Sequence, residues 1–210
     1  MAARKEGVKM KNSISVYISE LLVEQSIIKK EDADTCRYGI EFFIVSVLEI
    51  LSILILALFL GNFSETFVYF IAFIPLRLYA GGYHADSKLS CYIILVAVYG
   101  AFTALLKVIP ASYYIYIGLF SIILTSIMIL KFAPIVSSKK SINEAETAFY
   151  RKVCIWIMLM ESAIIIIGIL NILENKYIFS FSLGQLAVSL SMIAAFVKTK
   201  LTGGEINEKV

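Results

Sequence analysis

Histidine occurs only once in this chain, at His84, and that scarcity narrows the available chemistry at once. A metal site built from several histidines is excluded within one copy. The three cysteines, Cys36, Cys91 and Cys154, are widely spaced and form no Cys-x-x-Cys pair, so neither a zinc ribbon nor a disulfide framework is indicated. Charge is sparse too: charged residues make up 17% of the chain and the net charge is only +3. No basic stripe is interleaved with exposed aromatics, so nucleic acid is not an expected partner. Neither G-x-S-x-G nor H-E-x-x-H occurs, which argues against serine-hydrolase and zincin chemistry. The basic N-terminus leads into mixed polar and apolar residues rather than a pure hydrophobic run, unlike a secretory signal. No metal or organic cofactor is implied.

What the chain has in excess is apolar residues. They make up 60% of its 210 residues, and the mean hydropathy is +0.85. They gather into six runs, roughly 39–60, 66–80, 89–109, 112–131, 152–173 and 177–197. Most match the ~20 residues needed to cross ~30 Å of hydrocarbon. The second run is the shortest and contains Pro75 and Arg77, so a kink or an incomplete crossing is expected there. Before the first run, residues 12–30 show an apolar helical stripe of Ile14, Tyr17, Ile18, Leu21, Leu22 and Ile28. This segment is too polar to span, and Asn12 or Ser13 could cap it. It is expected to lie in the plane of the membrane interface. Residues 29–38 read as a charged connector. The expected architecture is all-α and polytopic: a cytoplasmic N-terminal region over 1–38, a six-segment membrane domain over 39–198, and a cytoplasmic tail over 199–210.

Basic residues orient this array. Seventeen of the nineteen Lys and Arg fall in the N-terminal region, the 2–3 connection, the 4–5 connection and the tail; only Lys107 and Lys176 fall on the opposite side. The positive-inside rule places the termini and the 77–88 region at the cytoplasmic face.

In that region the chain reads Arg77-Leu-Tyr-Ala-Gly-Gly-Tyr-His-Ala-Asp-Ser-Lys-Leu-Ser-Cys91. A thiol attacks as its thiolate, and a nearby imidazole can take its proton and later protonate a leaving amine. Seven residues on one helix would separate the two groups by about 10.5 Å, too far for direct transfer. A helix break between them is therefore needed, and Gly81-Gly82 or Asp86-Ser87 are candidates. A new helix starting near Asp86 or Ser87 would carry Cys91 in its second turn, with Lys88 one turn earlier. Backbone N–H groups near the glycines are candidate oxyanion donors. The third, orienting group stays open among Asp86, Glu161, Asn171 and Gln185.

Each of these residues also has a plainer reading. A cysteine in a membrane helix is usually a small core residue, which is the reading taken for Cys154. Gly-Gly often only stops a helix, and Arg77 either snorkels or belongs to the site. The basic 4–5 connection is either a topology signal or a contact for an acidic ligand. Glu49 and Glu161 lie inside apolar runs, where an acid is costly and invites a functional role. A transporter or scaffold with incidental His and Cys is the competing class, although no paired discontinuous helices are evident.

The Arg77…Gly81-Gly82…His84…Cys91 motif resembles the signature of the AgrB family of membrane cysteine peptidases. The similarity extends to the amphipathic start, Tyr38-Gly-Ile-Glu41, the six apolar runs and Ala133-Pro134 in the basic 4–5 connection. The resemblance implies a multi-pass protein of the bacterial cell membrane that acts in quorum sensing. Cys91 would be the nucleophile and His84 the base, with Arg77, Gly81 and Gly82 supporting the site. The implied substrate is an AgrD-like propeptide, cleaved and closed into a thiolactone through an acyl-enzyme thioester. Lys139, Lys140, Arg151 and Lys152 would meet its acidic tail, and a homodimer is the family expectation.

Overall fold

A computed structural model of the chain describes residues 14–83, 88–135, 144–172 and 175–201. Among these the chain is helical, and six helices are long and apolar enough to cross a membrane. The chain divides into two compact units, Met1–Ile55 and Leu56–Val210.

In the first unit, helix α1 spans Ile14–Glu24. It is shorter than the stripe to residue 30 suggested, because Ser26 takes a left-handed conformation (φ 57°) and ends it. Eleven residues rise only about 17 Å, too little to cross a bilayer. Ser15 and Ser19 are buried, while Ile14 and Tyr17 of the apolar stripe are exposed.

A 3-10 turn at Lys30–Asp32 leads into α2, Ala33–Leu60. The expected connector over 29–38 is thus helical from residue 33 onward. Asp34 sits in the first helical turn, where negative charge suits the helix N-terminus, and Arg37 pairs with it at 3.6 Å. A helix satisfies its own backbone, so it continues past the apolar run into the polar zone without cost.

In the second unit, α3 (Phe63–Ala80) runs through Pro75 without interruption. At 18 residues it rises about 27 Å, close to a full crossing. Helices α4 (Lys88–Val108), α5 (Tyr114–Phe132), α6 (Glu144–Ile167, continued by a π turn at Gly168–Ile172) and α7 (Asn175–Leu201) follow. Helix α7 is the centre of this unit, with α3 and α5 as its main neighbours. At Gly184 a Cβ would come 2.5 Å from Tyr69 O and 2.9 Å from Ala72 Cβ, so the missing side chain is what lets α3 approach. Toward the motif end, Leu76, Ala80, Met128, Ile129, Cys154, Met158, Val188 and Met192 share one buried cluster. Cys154 is a core residue, as expected.

Polar groups also join these helices. Ser121 bonds Gln185 at 3.3 Å, and Thr125 bonds Ser189 at 2.8 Å. Helix α4 is tied to the start of α3 by Tyr99 Oη, which donates to Asn62 Oδ1 at 3.0 Å and lies 3.4 Å from Thr66 Oγ1.

Candidate functional site

The motif falls where α3 ends, α4 begins, and the last turns of α5 and α7 come alongside. Gly81 stops α3 with φ 75°, a conformation glycine adopts without penalty. It pairs with Ile135 in a short parallel bridge, supported by Ile135 N–H donating to Ala80 O at 2.9 Å. A side chain at Gly81 would strike the Ile135 carbonyl. Gly82 follows with φ 132°; a Cβ there would overlap Arg77 Nη1 and lie 2.5 Å from Ser191 Oγ. The Gly-Gly pair is therefore more than a helix stop. It permits two backbone conformations and a close approach that side chains would block.

Arg77 lies one turn before the end of α3 and turns inward. Its Nη2 donates to the Tyr83 carbonyl. Its Nη1 is buried and has no hydrogen-bond partner among the described residues. The guanidinium also interacts electrostatically with Cys91. Of the two readings for Arg77, snorkelling is the one the geometry disfavours: one arm of the fork holds the Tyr83 carbonyl, and the other is buried. Cys91 is the fourth residue of α4, half-buried and not in a disulfide.

His84, Asp86 and Ser87 lie outside the described residues, as do the side chains of Lys88 and Asn171 and the whole of Lys139 and Lys140. Helix α4 begins at Lys88, so a helix break does stand between Gly81 and Cys91. Arg151 donates to the Leu130 carbonyl at 2.9 Å, satisfying one of the open carbonyls at the end of α5. Lys152 is exposed. Glu161 and Gln185 are both buried in the membrane-spanning interior. Gln185 lies six residues, roughly 9 Å along α7, from the level of Ser191. Its amide accepts from Ser121, and its interaction with the Glu161 carboxyl falls outside hydrogen-bonding geometry.

Three residues were invisible from sequence. Ser191 on α7 takes the Tyr83 N–H, Ile135 pairs with Gly81, and Lys198 places its ammonium 5.1 Å from the centre of the Tyr83 ring. None carries a local motif. Ser191 is 108 positions from Tyr83 and is found only through the fold.

The fold and this constellation define a multi-pass membrane protein with a thiol at the start of a spanning helix, within electrostatic range of a half-buried arginine. Residues 14–194 match the family described as AgrB, accessory gene regulator B, and the chain belongs to that family. It is 35% identical over 71 residues to the protein FsrB of Enterococcus faecalis, covering 34% of this chain and 29% of FsrB. It is 27% identical over 128 residues to an AgrB-like protein of Listeria welshimeri, covering 58% of this chain and 62% of that one. An AgrB-like protein of Listeria innocua is also 27% identical, over 125 residues, covering 57% of this chain and 60% of that one. The chain thus spans less than two thirds of the length of these relatives. No solved structure matches it.

Proposed function

We propose that this protein is a membrane cysteine endopeptidase of the accessory gene regulator quorum-sensing system, acting on an AgrD-like propeptide. One observation carries the reading: Arg77 binds the Tyr83 carbonyl, in the peptide bond leading to His84, and interacts with Cys91 on the next helix. The Arg77 guanidinium thereby bonds one half of the motif and lies within electrostatic range of the other. The family match supports the same reading.

In this mechanism His84 accepts the Cys91 proton, and the thiolate attacks a peptide carbonyl of the substrate. The C–N bond breaks, the proton passes from His84 to the departing amine, and a thioester to Cys91 remains. Nη1 of Arg77, which has no hydrogen-bond partner among the described residues, is a candidate donor to the transient oxyanion. A cysteine thiol within the retained peptide then attacks the thioester. The new C–S bond closes a thiolactone, the bond to Cys91 breaks, and the proton returns to the site. One thioester replaces another, so the exchange is nearly balanced in energy, and exclusion of water favours it over hydrolysis. The 1–38, 39–198 and 199–210 divisions, the cytoplasmic placement of the termini and of the 77–88 region, and a homodimeric assembly complete the proposal.

The test is co-expression with the cognate propeptide. Wild-type protein releases the C-terminal segment and forms an acyl-enzyme at Cys91 that hydroxylamine discharges. If Cys91→Ala, present at normal levels, still releases that segment, the transporter or scaffold reading takes its place. Orientation is checked separately: Ser87→Cys should resist a membrane-impermeant thiol reagent applied to intact cells, and labelling from outside would overturn the cytoplasmic placement.

A further inference from the structure

Tyr83 is fastened at both of its backbone polar groups, and each fastening comes from a different helix. Its N–H is shared between the Ser191 carbonyl at 3.0 Å and Ser191 Oγ at 3.2 Å, both on α7. Its carbonyl accepts from Arg77 Nη2 on α3. Gly82 lies against both partners of this clamp, the accepting Ser191 and the donating Arg77, and any side chain there would collide with both. Ser180, Ser182 and Ser189 each donate to the carbonyl four residues back, and Ser189 also meets Thr125 of α5. Among these serines, Ser191 is the one bonded to the motif.

A peptide unit is planar, so the plane that contains the Tyr83 carbonyl also contains the Cα of residue 84. Fixing Tyr83 at both ends anchors the peptide unit through which the chain continues to residue 84. We propose that Ser191 is a positioning residue for the Cys91 site, holding from α7 the residue that precedes His84 in the chain. The inference rests on the cysteine-peptidase reading above. Ser191 takes no part in bond making, and its effect passes entirely through the Tyr83 backbone. It gives the central helix a direct connection to a site otherwise assembled from α3 and α4.

The experiment uses the full chain in detergent and iodoacetamide as the probe, with alkylation of Cys91 read by peptide mass spectrometry at pH 7 and pH 10. At pH 10 the thiol ionises without help, so the ratio of the two rates reports assistance by the base. His84→Ala should collapse this ratio. Ser191→Ala keeps the backbone bond but loses the hydroxyl, and should lower the ratio by ~3- to 10-fold, the effect of one hydrogen bond. Ser191→Thr, which retains Oγ, should restore it. Ser189→Ala removes a comparable hydroxyl contact, to Thr125, two residues away and should leave the ratio at the wild-type value. The inference is overturned if His84→Ala collapses the ratio while Ser191→Ala does not, or if Ser189→Ala lowers it as much as Ser191→Ala. If His84→Ala itself changes nothing, the dyad is wrong and the role of Ser191 falls with it.

Discussion

Helices α4 and α7 belong to the same unit yet are built on opposite plans. The hydropathy of α4 is 2.2, and 11% of its most apolar stretch is buried by protein; for α7 the values are 1.7 and 67%. The more polar helix is the more enclosed one. In water the order would be reversed, because burial follows hydrophobicity there. In a bilayer the lipid is as apolar as leucine, so apolar side chains gain little by turning inward, whereas serine, glutamine and glycine gain contacts that lipid cannot offer. Ser180, Ser182, Gln185 and Ser189 are accordingly all buried on α7, while Leu89, Ile93 and Ile94 of α4 are exposed to the surroundings. The contrast separates two tasks. Helix α7 organises the unit, and α4 presents Cys91 at its lightly enclosed start.

Substitutions on the two helices should therefore fail in different ways. The largest effect belongs to α4: Cys91→Ala should reduce propeptide cleavage by at least ~10³-fold without changing expression or the thermal midpoint. His84→Ala should do the same, and Cys91→Ser should be nearly as damaging because a hydroxyl is the weaker nucleophile. Cys36→Ala and Cys154→Ala should retain cleavage. A Cys91→Ala protein that loses stability along with activity would place Cys91 on the structural side of the contrast.

Glycine substitutions sharpen the comparison through stability. Gly184→Ala forces a Cβ against the α3 backbone and should cost ~1–3 kcal/mol, read as a lower unfolding midpoint in detergent. Gly100 on α4 has open space around it, so Gly100→Ala should be neutral or stabilise by ~0.5–1 kcal/mol. Equal shifts for the two would show that α4 is as tightly enclosed as α7.

Charge removal gives a smaller effect. Neutralising Lys139, Lys140, Arg151 and Lys152 together should raise the propeptide concentration needed for half-maximal cleavage several-fold and leave Cys91 alkylation unchanged. Arg151→Gln alone should also lower the unfolding midpoint slightly, since Arg151 closes the Leu130 carbonyl. Unchanged processing at limiting propeptide would leave these residues only a topological role. The smallest change is expected for Tyr99→Phe. It removes the bond to Asn62 at the far end of α4 and should cost ~0.6 kcal/mol, the typical value inside membranes, with cleavage retained.

Much of this was legible beforehand because membrane insertion reads local composition. The six runs became the six long helices, and Gly81 ends α3 as one of the two candidate breaks. The errors lay at helix ends. The 29–38 connector joins α2 because a helix extends into the polar zone freely, and α1 stops early because Ser26 turns left-handed. Polarity alone could not separate Arg77 from a snorkelling side chain. That distinction depends on the Tyr83 carbonyl, whose position follows from where Gly81 and Gly82 turn the chain.

By itself the sequence determined the all-helical membrane class, the number of spans and the motif that marks the family, since each depends on residue type within one short stretch. Only the tertiary structure decided that α7 lies at the centre, that Arg77 turns inward to the Tyr83 carbonyl, and that Ser191 accepts from the Tyr83 N–H. The physical reason is the solvent. Lipid rewards apolar side chains equally on every face of a helix, so hydropathy cannot say which faces meet. That choice falls to a few glycines and hydroxyls whose partners lie a hundred residues away and exist only once the helices have come together.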